Sequence, residues 1–214
     1  MKLYNYQIEN LNKVKDETRV AFYWDMGTGK TFVGSEKLSQ LNNTRNLVVC
    51  QKSKIDDWVD HFKTHYPKYQ VYDLSKRAVG GHDCIKDLLA YDKKFKIGVI
   101  NYDLVWRRSE LLRIKDFVLM LDESSLIQND TAKRSKFILE LGKNASGVIL
   151  LSGTPIGGKY ENLWSQMHLL GWNISKKMYQ NQYLEYEYLD GLTKSIPIIT
   201  GYKNVNRLKR KMDK

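Results

Sequence analysis

The chain is short of several things. With only two cysteines, Cys50 and Cys84, in 214 residues, it excludes a disulfide framework and a four-cysteine zinc site, and it reads as a protein of a reducing setting. No stretch approaches the eighteen or so consecutive apolar residues that a membrane span needs. The opening residues "MKLYNYQIEN" have no apolar core or small-residue cleavage site, so a secretory signal is not expected. Repeats and low-complexity tracts are absent. Acidic residues are few beside basic ones, 24 against 35. The resulting +11 attracts polyanions over about 8 to 10 Å at physiological salt, which favours nucleic acid as a partner. Lys203, Arg207, Lys209, Arg210, Lys211 and Lys214 against Asp213 make the last twelve residues the most basic part.

What remains is globular: 42% hydrophobic and 12% aromatic residues, enough for one domain with extensions. Six short apolar runs recur, at 20–24, 46–50, 69–74, 96–100, 117–121 and 147–151. Amphipathic stretches of helical length, such as "TFVGSEKLSQL" and "TAKRSKFILEL", separate several of them. This alternation predicts an α/β fold, a mostly parallel central sheet with helices on both faces. Beyond residue 160 it gives way to a helix around "YENLWSQMHLLGW", a tyrosine-rich segment at 179–188 and the basic tail. A second run of strands is not expected there, nor a fixed geometry for the tail. We divide the chain into residues 1–170, a nucleotide-binding domain, and 171–214, an extension.

Polar clusters follow the apolar runs: "DMGTGKT" the first, "QKS" the second, "NYD" the fourth, "DESS" the fifth and "SGTP" the sixth. Parallel strands bring such ends to one edge of a sheet, where ligands bind. The five clusters therefore predict one composite site. Within the first, Met26, Gly27, Thr28, Gly29, Lys30 and Thr31 form the end of a phosphate-binding P-loop, although Trp24 stands where its first glycine belongs. Backbone N–H groups in such a turn point at phosphate oxygens. Lys30 would reach the β and γ phosphates, and Thr31 would offer its hydroxyl to Mg²⁺. A strand ending in two carboxylates, Asp122 and Glu123, is costly without a compensating cation. Asp122 is expected to hold the metal, and Glu123 to orient and deprotonate the attacking water.

With "DMGTGKT", "DESS" and "LSGTPI" in that order, the chain resembles the first RecA-like domain of superfamily two helicases and translocases, and within them the Swi/Snf-type ATPases. "YQIENL", "LVVCQKSKIDDW", "VINYDL", "SLIQNDTAKRSKFILEL", "ENLWSQMHLLGW" and "GYKNVNRLKRKM" carry the same resemblance. It implies a RecA-like fold and ATP as the nucleotide, with Gln7 reading the adenine edge. It implies that Ser152 and Thr154 couple nucleotide state to domain movement. It places Gln51, Lys52, Ser53, Asn101 and Tyr102 along a nucleic-acid path, as backbone contacts that do not read sequence. Double-stranded DNA is the favoured track, with RNA left open. Two positions depart from the family, Gln51 for a usual proline and Ser125 for a histidine; the Ser125 hydroxyl is expected to link the acidic motif to Ser152. Trp58, Trp164 and Trp172 are read as packing residues. Family members clamp ATP between two such domains, so a second RecA-like domain, in cis or trans, is an expected partner and the source of an arginine finger. The expected function is the ATP-binding lobe of a nucleic-acid-dependent ATPase that moves on DNA. The other reading is a module that binds ATP and DNA without turnover. The expected location is inside the cell: the cytoplasm of a bacterial or phage-infected cell, or a eukaryotic nucleus.

Overall fold

The computed structural model describes residues 3–79, 82–189 and 196–212. In chain order the strands are β1 Arg19–Tyr23, β2 Arg45–Cys50, β3 Tyr69–Asp73, β4 Ala78–Val79, β5 His82–Asp83, β6 Phe95–Asn101, β7 Phe117–Asp122, β8 Ala145–Ser152, β9 Leu184–Leu189 and β10 Ile196–Tyr202. The helices are α1 Asn5–Lys13, α2 Lys30–Leu41, α3 Ile55–His65, α4 Cys84–Leu89, α5 Tyr102–Val105, α6 Lys133–Asn144, α7 Trp164–Leu169, α8 Lys176–Tyr183 and α9 Val205–Met212.

All six apolar runs are strands of one parallel sheet, in the order β1-β8-β7-β2-β6-β3. Successive side chains of a strand point to opposite faces, and the burial of β2 follows that rule. Leu47 and Val49 join one core with Leu88, Val105 and Ile138; Val48 and Cys50 join the other with Val33, Trp58 and Phe62. Because both faces are covered, these strands read as continuous apolar runs rather than alternating ones. The RecA-like α/β architecture expected from the sequence is the one observed.

Lys37, wholly buried in α2, donates from Nζ to the carbonyl oxygens of Val14 (2.6 Å) and Lys15 (3.0 Å). Burial of an ammonium is tolerable because those acceptors replace water. The bond ties the segment after α1 to the helix that follows the P-loop.

The last forty residues differ from the expectation. Leu184–Leu189 and Ile196–Tyr202 pair antiparallel, with an irregularity between Ile199 and Gly201. "LEYEYL" alternates with the strand period, and Pro197 is compatible because the hairpin strand has a free side. The described part of the basic tail also has a fixed place: α9 buries Leu208 in a third, smaller core with Leu163, Met167, Ile174, Tyr179 and Tyr183. That core joins residues on both sides of position 170. Trp58 is buried as expected, and Trp164 and Trp172 pack against the third core. Among the described residues no helix is long and apolar enough to cross a membrane.

Candidate active site

β1 ends at Tyr23, and the chain turns through residues 24–29 into α2. Gly27 (φ 79°) and Gly29 (φ 73°) lie in the left-handed region, where a residue with a Cβ is strained by about 1–2 kcal/mol. Gly29 is the N-cap of α2 and gives it no side-chain cap, so the first N–H groups of that helix face the loop. Lys30 Nζ donates to the carbonyl oxygens of Trp24 (2.8 Å) and Asp25 (2.9 Å), which sets the ammonium inside the curl. The Thr28 hydroxyl donates to Asp25 O at 2.7 Å. Met26 is 85% exposed at the outer tip.

α1 holds this loop from outside. Gln7, 2% exposed, donates from Nε2 to Thr28 O (3.1 Å) while its Oε1 accepts from the Tyr4 N–H (2.9 Å). The Tyr6 hydroxyl donates to the same Thr28 carbonyl at 2.7 Å. A Cβ at Gly29 would stand 2.6 Å from Gln7 Nε2. Sequence reasoning gave Gln7 an adenine-reading role; here both ends of its amide are engaged within the protein, shaping the P-loop.

Two strands along the sheet, β7 delivers the acidic pair. Asp122 Oδ2 accepts from the Trp58 indole N–H at 2.8 Å, so this packing residue also has a polar task. The Tyr102 hydroxyl donates to Asp122 O at 2.9 Å and fixes the backbone of the turn. Glu123 sits at φ 53°, ψ 59°, a left-handed conformation that costs a residue with a side chain about 1–3 kcal/mol and clusters at functional sites. Burial pushes the Asp122 carboxyl above its ordinary range, opposed by the Trp58 bond and by Lys30. Glu123 is also raised, by burial and then by the Asp122 charge, and opposed by Lys30 and a bond from the Gly153 N–H. The pair is thus short of positive charge, with Lys30 the nearby cation from the P-loop.

The residues present fit a magnesium ion. Asp122 and Thr31 are oxygen donors of the kind it takes, and the carboxylates are raised by burial. Among the described residues no three or more His, Cys, Asp or Glu side chains gather to hold a metal, consistent with an ion that keeps most ligands as water and substrate phosphate.

β8, between β1 and β7, supplies the third element. Ser152 is buried, and its Oγ accepts from the Thr154 N–H at 3.1 Å, closing the turn before Pro155. Here one expectation is corrected. The Ser125 hydroxyl makes no bond to Ser152 among the described residues; the neighbouring Ser124, fully buried, donates to Gln166 Oε1 at 2.7 Å. Gln166 Nε2 donates to Pro155 O (2.6 Å), and the Tyr23 hydroxyl donates to Gln166 Oε1 (3.1 Å). The 3₁₀ turn Ser124–Ile127 after the acids points Ser124, not Ser125, inward. Gln166 lies inside the stretch "ENLWSQMHLLGW", which carried the resemblance, but no role was read for it, because a glutamine between Ser165 and Met167 in a short helix has no pattern that reports the loops it will meet.

Of the residues assigned to a nucleic-acid path, Gln51, Lys52 and Ser53 are exposed at the end of β2. The pairing of Cys50 with Asn101 sets the β6 end beside them. Asn101 and Tyr102, however, are each 3% exposed. Tyr102 supports the acidic turn, and Asn101 Oδ1 is buried without a hydrogen-bond partner. A surface contact from either side chain requires local movement.

A family model described as the SNF2-related domain matches residues 11–213. "Probable ATP-dependent DNA helicase CHR12" of Arabidopsis thaliana is 27% identical over 152 residues, covering 68% of this chain and 14% of that protein. The chromatin-remodeling ATPase INO80 of Homo sapiens is 25% identical over 157 residues, 68% of this chain and 10% of that protein. The chain thus spans about a tenth to a seventh of these relatives. The Sulfolobus solfataricus SWI2/SNF2 ATPase core in complex with dsDNA has the same fold, with a TM-score of 0.68 at 23% identity over 86% of this chain and 39% of that one. Taken with the order of P-loop, acidic turn and coupling loop along the chain, the match across nearly all of its length means that this chain belongs to the SNF2-related domain family.

Proposed function

We propose that this chain is the ATP-binding lobe of a nucleic-acid-stimulated ATPase that moves along double-stranded DNA. One observation carries the reading. The lysine of a glycine-curled loop, two carboxylates raised by burial and the Gly153–Thr154 turn meet at the ends of three neighbouring strands.

Each part has a task. The triphosphate takes the place of the Trp24 and Asp25 carbonyls as partner of Lys30, and the N–H groups at the start of α2 face its oxygens. Asp122 and Thr31 would hold Mg²⁺, which supplies neutralisation of phosphate charge when bound. Glu123 accepts the proton of the attacking water; its raised affinity for protons makes it a better base than an exposed carboxylate. The Gly153 N–H keeps the Glu123 carboxylate beside the coupling loop, so a change at the γ phosphate is passed to Thr154. The arginine finger comes from a second RecA-like lobe, in cis or trans. Such a residue is worth on the order of 10³ to 10⁵ in rate, so turnover by this lobe alone is lower by that order.

The test is nucleotide binding and turnover on this chain with Mg²⁺, with and without duplex DNA. The parent is expected to bind a fluorescent ATP analogue and Lys30→Ala to lose that binding. Binding unaffected by Lys30→Ala would remove the P-loop assignment. ATP and DNA binding without DNA-stimulated turnover, even with a second lobe supplied, would make the chain a binding module instead.

A further inference from the structure

The segment after α5 reads "WRRSE", and α6 opens with "KRSK". The fold brings the two together. The Arg107 guanidinium lies 4.9 Å, and the Lys133 ammonium 5.0 Å, from the Trp106 ring centroid, both within cation–π range. Trp106 is half-buried while Arg107 and Lys133 are exposed, so the indole is a shelf on which two cationic side chains rest with their charged ends toward solvent.

Lys133 and Arg134 also stand in the first turn of a twelve-residue helix, where cations face the positive end of the helix dipole. That turn contains no acidic residue, and its N-cap, Ala132, offers no side-chain acceptor. Two further polar atoms close by have no hydrogen-bond partner, Arg108 Nε and Ser135 Oγ, the latter on a residue with no exposed surface. The acids near this group do not neutralise it. Asp103 reaches only Arg134, at 3.6 Å and largely exposed, and Glu110 lies in the following 3₁₀ turn. Arg134 is already engaged, by Asp103 and by the Leu126 carbonyl, but Arg107 and Lys133, the uncapped helix N–H groups and the aromatic shelf share one need, an anion. Among the described residues no salt bridge to Arg107 or Lys133 supplies it.

Resting on the reading that this lobe binds nucleic acid, we propose that Arg107 and Lys133, held side by side on Trp106 at the start of α6, form a clamp for the phosphodiester backbone, separate from the Gln51–Ser53 loop. The placement favours it. α5 and Trp106 follow directly from the β6 end, which neighbours the β2 end that bears Lys52 and Lys54. α5 and α6 pack on one face of the sheet and α3, which follows Lys54, on the other, so the clamp and the Lys52 loop flank neighbouring strand ends, and a backbone that crosses this edge of the sheet meets both. Arg107 and Lys133 make the phosphate contacts; Trp106 is a positioning residue that keeps both side chains extended.

The experiment is a salt titration of binding to 20-base-pair duplexes of DNA and of RNA. Each phosphate contact contributes about −0.9 to the slope of log K against log salt, and roughly 5- to 10-fold in affinity near 0.1 M. Arg107→Gln and Lys133→Gln, both on exposed positions that the fold tolerates, should each make the slope shallower by about one and weaken binding by that factor. Trp106→Ala should weaken binding at the same salt, and Trp106→Phe, which keeps an aromatic face, should restore most of it. The duplex whose slope changes identifies the track. If the parent binds and neither glutamine variant alters the slope on either duplex, the clamp is refuted while the functional reading stands. If Trp106→Phe is as weak as Trp106→Ala, the aromatic shelf is refuted. If the parent binds neither duplex, the functional reading itself fails.

Discussion

Replacing Gly29 with alanine puts a methyl group where Gln7 Nε2 now sits, since a Cβ there would be 2.6 Å from that atom. The left-handed backbone at φ 73° costs the alanine about 1–2 kcal/mol, and expelling Gln7 forfeits its bond to Thr28 O, worth about 0.5–1.5 kcal/mol. The expected destabilisation is therefore about 1.5–3.5 kcal/mol, a fall of roughly 3–14 °C in thermal midpoint for a chain of this size. Gln7→Ala alone removes the bond to Thr28 O and the one from Tyr4 N, for about 1–3 kcal/mol. In the double variant the collision is gone and the Thr28 bond cannot be lost twice. Its loss should fall short of the sum of the two single losses by about 0.5–1.5 kcal/mol. Urea unfolding of the four proteins measures this. A fluorescent ATP analogue should bind at least tenfold more weakly to Gly29→Ala, because the bend that aims the N–H groups is strained. Strictly additive stabilities would show that Gln7 does not brace the loop, and the account of α1 as its outer support would be wrong.

Two further expectations concern proton linkage. Glu123 is held above its ordinary value, so its contribution to stability is fully present below the ordinary glutamate pKa and is lost as pH rises through the raised one. Glu123→Gln should therefore melt higher than the parent at pH 7, with the gain vanishing below about pH 4, while hydrolysis falls by about 10²- to 10⁴-fold; an equal gain at all pH values would contradict the burial argument. His61 has the opposite sign. Burial, then His65, lower it from 6.5 to about 4, so its neutral ring, bonded to Ser35 Oγ at 3.0 Å, contributes stability that is lost as pH falls from 6.5 toward 4. His61→Gln should flatten the parent's decline in urea midpoint over that window, and parallel curves would refute it.

The sheet was legible because buried parallel strands must be apolar on both faces. All six runs appear in the sequence, within two residues of their observed ends. The P-loop and acidic pair were legible because Gly29, Lys30, Asp122 and Glu123 interrupt such runs at strand ends. What could not be read depended on side chains meeting across the fold. Ser124 and Ser125 are indistinguishable in sequence, and a single 3₁₀ turn decides which faces inward. Asn101 and Tyr102 look like polar loop residues, but Asn101 is buried at the end of β6 and Tyr102 is bonded to the backbone of the acidic turn. The hairpin of β9 and β10 was missed because "LEYEYL" buries little beyond Leu184, so its alternation does not report a core.

The Gln166 amide touches three strand ends at once, through Tyr23, Ser124 and Pro155. Its two ends are chemically unlike, and although the Tyr23 and Ser124 hydroxyls can accept as well as donate, a half-turn of the amide would set its oxygen against the Pro155 carbonyl and break that bond. The side chain is in effect a keyed joint with a single seating. The acidic turn and the loop that carries Thr154 are thereby tied to one side chain, so that neither can shift by more than a hydrogen bond's slack without loading the other.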